Sequence, residues 1–65
     1  MKILHKFYGC EEYSPRSSFV YIYSGVFCVD CFIDNDLKKF IELKGKSESY
    51  AEDTAENWVL GVMNE

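Results

Sequence analysis

The sequence predicts an α+β fold in a single domain spanning residues 1–65: an N-terminal strand, a β-hairpin, then two antiparallel helices. Three observations predict it. The run "FVYIY" is followed by Ser24-Gly25 and a second short run, "VFCV", the pattern of a hairpin closed by a two-residue turn. Residues 30–45 then place Ile33, Leu37, Phe40 and Ile41 at helical spacing. A last segment opens on Ser49-x-x-Glu52, a capping-box pattern, and carries an apolar face of Ala51, Ala55, Trp58, Val59 and Val62.

Each element has its own local reason. Residues 2–8, "KILHKFY", are short and rich in large apolar groups, as a strand requires. "GCEEYSPRSS" gathers Gly, Ser and the only Pro, so it reads as a loop. In the hairpin, Gly25 supplies positive φ at the second turn position, and a type I′ turn requires Ser24 to adopt it too. Asp30 or Asp34 is placed to cap the first helix, Asp36 suits its positive end, and Lys44 and Gly45 mark its close. Only a few residues around Lys46 separate the helices, which predicts antiparallel packing.

Composition narrows the class. A chain of 65 residues buries little of its surface, so its core is marginal and a metal, a partner or a disulfide commonly supplements it. Five Phe, five Tyr and one Trp set it apart from disordered chains, which lack such side chains. The start carries no signal-peptide pattern, and the apolar stretch Phe19–Val29 is too short to span a bilayer. The expectation is a cytoplasmic protein with reduced thiols, and the odd cysteine count agrees. The net charge is −4, and residues 47–65 hold five acids and no base. Nucleic-acid binding rests on Lys and Arg neutralising phosphates, so this balance weighs against it. The cluster Lys38, Lys39, Lys44 and Lys46 keeps a nucleic-acid-binding zinc finger as one alternative.

The chemistry-bearing residues are His5, Cys10, Cys28 and Cys31. They add up to four soft ligands, the number that a closed structural zinc site uses. A C-x2-C pair can reach one metal from a tight turn, and a helix start there would stabilise both thiolates. His5 and Cys10 are separated by an odd number of residues, so they share a side only if the chain bends, and Gly9 offers the bend. Glu11, Asp30 or a water stands as a substitute for His5. Structural zinc contributes on the order of 10 kcal/mol in small finger peptides. Against a domain stability of only a few kcal/mol, roughly, zinc would decide whether the fold exists.

The order of these features resembles the treble-clef group of zinc fingers: a first ligand pair on an N-terminal knuckle, a β-hairpin, and a second pair at the start of a helix. The resemblance covers residues 5–44 and implies zinc on His5, Cys10, Cys28 and Cys31. Two other readings of the cysteines stand beside it. They are buried reduced thiols, or they form a dithiol redox pair, Cys28 and Cys31, as at the helix start of thioredoxin-like proteins. Against the redox reading, the chain is short for that fold, and its one proline, Pro15, precedes the pair.

No nucleophile–base set or glycine-rich phosphate loop is present in the sequence, so a binding module rather than an enzyme is expected. Two surfaces are candidates. One is the hairpin, where Phe19, Tyr21 and Tyr23 share a side and a domain this small hardly covers both sides. Its plain counterpart is burial, with the helices on one side and the N-terminal strand and loop on the other. The second surface is the acidic face of the last helix, Glu48, Glu52, Asp53 and Glu56, whose plain counterpart is a solvated face. Partner-binding residues are therefore expected among Tyr21, Tyr23, Glu52, Asp53 and Glu56. The partner expected is a larger protein with a basic surface, and the role is that of an inhibitor or adaptor of the kind that viruses of bacteria encode.

Overall fold

In the computed structural model, which describes residues 2–63, four strands form one antiparallel sheet and a single helix follows. The strands are β1 (Ile3–Tyr8), β2 (Arg16–Tyr23), β3 (Val26–Ile33) and β4 (Asp36–Leu43), and the helix is α1 (Glu48–Val59). The strands lie side by side in chain order, a meander.

The N-terminal strand and the hairpin form as expected. Ser24 and Gly25 adopt φ of 53° and 75°, the two positive values a type I′ turn needs to match strand twist. The first of the two expected helices does not form, and its residues make β4 instead. The cause lies in Asp34 and Asn35, which take φ of 53° and 68° and close a second two-residue hairpin turn. Asp and Asn tolerate that region because their short polar side chains bond locally. Asp34 is therefore a turn residue rather than a helix cap, and Gly45 belongs to the turn after β4.

The helical spacing of Ile33, Leu37, Phe40 and Ile41 also has a structural source. Cys31 pairs with Lys39 and Phe32 with Leu37, so Lys38 is an extra residue in β4. A bulge shifts the two-residue alternation by one. Leu37 and Phe40 consequently fall on one side of the sheet and Ile41 and Leu43 on the other, in a pattern that imitates a helix.

The last segment is helical as expected, with a different cap. Ser47 is the N-cap, and its hydroxyl accepts from the Tyr50 N–H at 3.2 Å, so Ser49 lies inside the helix. Among the described residues the helix has no antiparallel helical mate, and it packs on the sheet. Ala51, Ala55, Trp58 and Val59 meet Val20, Val29 and Cys31 in the core, with Phe7, Phe27, Ile33, Ile41 and Leu43 around them. Val62, assigned to the same apolar face, lies beyond the helix and is exposed.

Polar groups inside this layer are satisfied. The Ser18 hydroxyl donates to the Ala55 carbonyl at 2.8 Å, and the Trp58 indole N–H donates to the Phe32 carbonyl at 3.0 Å, beside the β4 bulge. Arg16 closes the far end of the helix. Its guanidinium lies 4.4 Å from the Trp58 ring centre and donates to the carbonyls of Trp58 (3.1 Å) and Met63 (2.8 Å). The chain turns there through Gly61 at φ +76°, with Val62 N–H on the Asn57 carbonyl and Gly61 N–H on that of Trp58, a Schellman motif. Gly9 is required for a different reason. A Cβ there would sit 1.9 Å from the Tyr13 carbonyl oxygen, so the loop between β1 and β2 closes only around a glycine.

Candidate functional site: the open face of the sheet

The strand alternation divides the sheet cleanly. On β2, Ser18 and Val20 point toward α1, while Phe19, Tyr21 and Tyr23 point away. Cross-strand pairing adds Val26, Cys28, Asp30 and Phe32 from β3 to that outer side, and Leu37, Phe40 and Glu42 from β4. The bulge around Leu4 in β1 lets Ile3 face outward with Tyr21, while His5, paired with Val20, faces the helix.

Among the described residues no element lies over this outer face. Ile3 (41% exposed), Tyr23 (62%), Leu37 (55%) and Phe40 (54%) remain open to solvent. The counterpart reading, in which the N-terminal strand and loop cover one side of the hairpin, does not hold for the strand, because β1 extends the sheet at its edge.

The centre of the face is organised. Phe19 and Phe32 pack as a tilted ring pair with centres 5.2 Å apart. Tyr21 is sunk among its neighbours, and its hydroxyl donates to the Asp30 carboxylate at 2.9 Å. Burial, then that hydrogen bond and the Asp30 charge, push the phenol well above its ordinary pKa, so it stays a donor. Ile3, Phe19, Tyr21 and Asp30 line a cleft of about 150 Å³ with apolar walls and one carboxylate. Glu42 adds a second negative charge to this side, felt by Tyr21 and Cys28.

The four expected zinc ligands are not brought together. Cys28 lies in the outer face and Cys31 in the core beneath α1, because residues three apart in a strand point to opposite sides. Cys10 is exposed in the loop, and His5 bonds to Glu48 across the helix side. Among the described residues, the donor atoms that lie within 4.8 Å of one another are those of His5, Glu48 and Glu52. The substitutes are no nearer to one centre: Asp30 serves Tyr21, and Glu11 begins a short 3-10 turn.

The same placement bears on the redox pair. Three residues of extended strand span roughly 10 Å, beyond the ~7 Å limit for a disulfide. Burial raises both thiol pKa values: Cys28 further through Glu42 and Asp30, Cys31 to about 11 although Lys39 and Arg16 pull it down. Both are therefore held as thiols rather than thiolates near neutral pH. Of the lysines, Lys39 pairs with Cys31 across β3 and β4, while the Lys46 ammonium sits 5.0 Å from the Tyr50 ring centre.

Of the expected partner-binding residues, Tyr21 and Tyr23 share the open face. Glu52 is turned toward His5, and Asp53 and Glu56 are exposed on α1. Sequence reasoning missed Asp30, Phe32, Leu37 and Phe40 as members of the face. The available signal was the eight-residue run "VFCVDCFI", whose two alternating sets are both mainly apolar. Extending the strand through it places Asp30 and Phe32 beside Tyr21 and Phe19.

No helix among the described residues is long and apolar enough to cross a membrane. No protein-family model, curated protein or solved structure matches the chain.

Proposed function

We propose that this chain is a small protein-interaction module, an inhibitor or adaptor, that docks its open sheet face on a larger protein. The observation that supports the reading is the uncovered apolar face itself, with Ile3, Tyr23, Leu37 and Phe40 exposed around the Tyr21–Asp30 pair. Contiguous apolar surface rimmed by polar groups commonly marks an interaction site, and tyrosine is enriched at such sites.

The face favours a particular partner chemistry. A lysine or arginine side chain can lay its apolar stem against Ile3 and Phe19 while its charge meets Asp30. Asp30 and Glu42 place two carboxylates on this side against the one lysine, Lys6, that β1 pairs with Phe19 there, and Asp53 and Glu56 on α1 extend the negative field around the molecule. Such a field speeds encounter with a basic surface. The partner is therefore a protein surface with apolar groups flanking a basic residue.

Two variants test the reading. The purified chain is immobilised and exposed to lysate from its own cell type, and binding of the captured protein is then measured in purified form. Tyr23→Glu with Phe40→Glu should abolish binding, and Asp30→Asn should weaken it. Asp53→Lys with Glu56→Lys should retain the complex and slow its formation. Circular dichroism confirms that each variant is folded. Loss of binding in the helix variant alone would overturn the proposal. So would a face-dependent dimer in sedimentation, which would make the occupant a second copy of the chain.

A further inference from the structure

We propose that His5, Glu48 and Glu52 form a divalent-metal site that fastens β1 to the start of α1. The inference is independent of the docking face, which lies on the other side of the sheet. The His5 Nε2 atom is 2.6 Å from Glu48 Oε2 and 3.8 Å from Glu52 Oε2, and the three donor atoms lie within 4.8 Å of one another.

The geometry is close to that of a metal centre. Zinc binds imidazole nitrogen and carboxylate oxygen at about 2.0–2.2 Å, which puts tetrahedral neighbours roughly 3.4 Å apart. The His5–Glu52 spacing is already near that value. Opening the His5–Glu48 contact to it takes a side-chain movement of under about 1 Å. The three side chains are 32%, 47% and 40% exposed, so they can make this adjustment without disturbing the core. The fourth position is left to water.

Sequence position explains the convergence. Glu48 and Glu52 are four apart on α1, so they share one helix side. His5 reaches the same side from β1 because the bulge around Leu4 turns it toward the helix. Two carboxylates held one turn apart repel each other. A dication offsets both charges. One imidazole with two carboxylates suits zinc better than calcium, which takes six to eight oxygens, or magnesium, which keeps its waters.

The test uses the full chain, freed of metal by chelator and kept reduced, at pH 7.5. With about 100 µM zinc chloride the melting temperature should rise by roughly 5 °C or more, and with the same magnesium chloride by much less. His5→Ala and Glu52→Gln should each remove the zinc effect, and Cys10→Ser should leave it intact. Should His5→Ala fail to fold, the imidazole nitrogen resonances of the wild-type chain decide the matter: Nε2 must shift on adding zinc. Absence of a zinc effect, its persistence in His5→Ala, its loss in Cys10→Ser, or an unshifted Nε2 would each overturn the site. The last would leave His5 and Glu48 as an ordinary ion pair.

Discussion

Arg16 ties the start of β2 to the C-terminal end of the helix and the turn after it, and its replacement should be among the most damaging single changes outside the apolar core. The guanidinium makes two hydrogen bonds to main-chain carbonyls, at 3.1 and 2.8 Å, and lies over the Trp58 ring. Hydrogen bonds involving a charged group contribute about 1.5–3 kcal/mol, and a cation over an aromatic ring about 0.5–1 kcal/mol. A positive charge at a helix C-terminus adds about 0.3–1 kcal/mol. These contributions overlap, and Arg16 is only half-buried, so Arg16→Ala should cost about 2–3 kcal/mol rather than their sum. A domain of 65 residues is stable by roughly 3–10 kcal/mol, so the loss is a large share. Arg16→Lys keeps the charge, but its ammonium ends about one bond short of the Nη1 atom that serves both carbonyls and cannot stack flat on the indole, so it should recover less than half. Urea unfolding followed by Trp58 fluorescence and far-ultraviolet circular dichroism measures both variants. A change under about 0.5 kcal/mol for Arg16→Ala would refute the reasoning. So would full stability in Arg16→Lys, because the reach of Nη1 and the stacking would then contribute nothing.

Two further predictions concern stability. Cys31 titrates near 9 when unfolded and about 11 when folded, so its contribution is complete below pH 9 and is lost as pH rises toward 11. The loss is at most about 2–3 kcal/mol. Urea midpoints from pH 8 to 11 should fall less steeply in Cys31→Val than in wild type, and equal slopes would contradict the assignment. Gly9→Ala should destabilise far more than Gly25→Ala, because its Cβ meets a backbone carbonyl whereas Gly25 faces open space. Gly25→Ala carries only the left-handed backbone cost of about 1–2 kcal/mol, and similar melting temperatures for the two variants would be the contrary result.

How far the sequence reveals this molecule depends on the element. "FVYIY", Ser24-Gly25 and "VFCV" identify the first hairpin because propensity and turn chemistry agree there. The apolar face Ala51, Ala55, Trp58 and Val59 identifies the last helix for the same reason. Asp34-Asn35 misleads, since the same residue types favour a helix N-cap and a type I′ turn. The bulge at Lys38 then supplies a false helical period. Read as the start of a helix, Cys28 and Cys31 look like one site, but within β3 residues three apart face opposite sides. The tyrosine side was legible from alternation in β2. Its extension by Asp30 and Phe40 was not, because those neighbours are set only once β3 pairs with β2 and β4 with β3. Arg16 and the helix end are 42 and 47 residues apart in sequence, and no local pattern joins them.

Both irregularities in strand pairing fall on the two outermost strands, one around Leu4 in β1 and one at Lys38 in β4. A regular outer strand offers a row of unpaired N–H and C=O groups on which another chain can add a strand. Here each margin is kinked, and Lys2, Lys6, Lys38 and Lys39 place charge along it. The sheet is thereby protected from growing sideways into a ribbon.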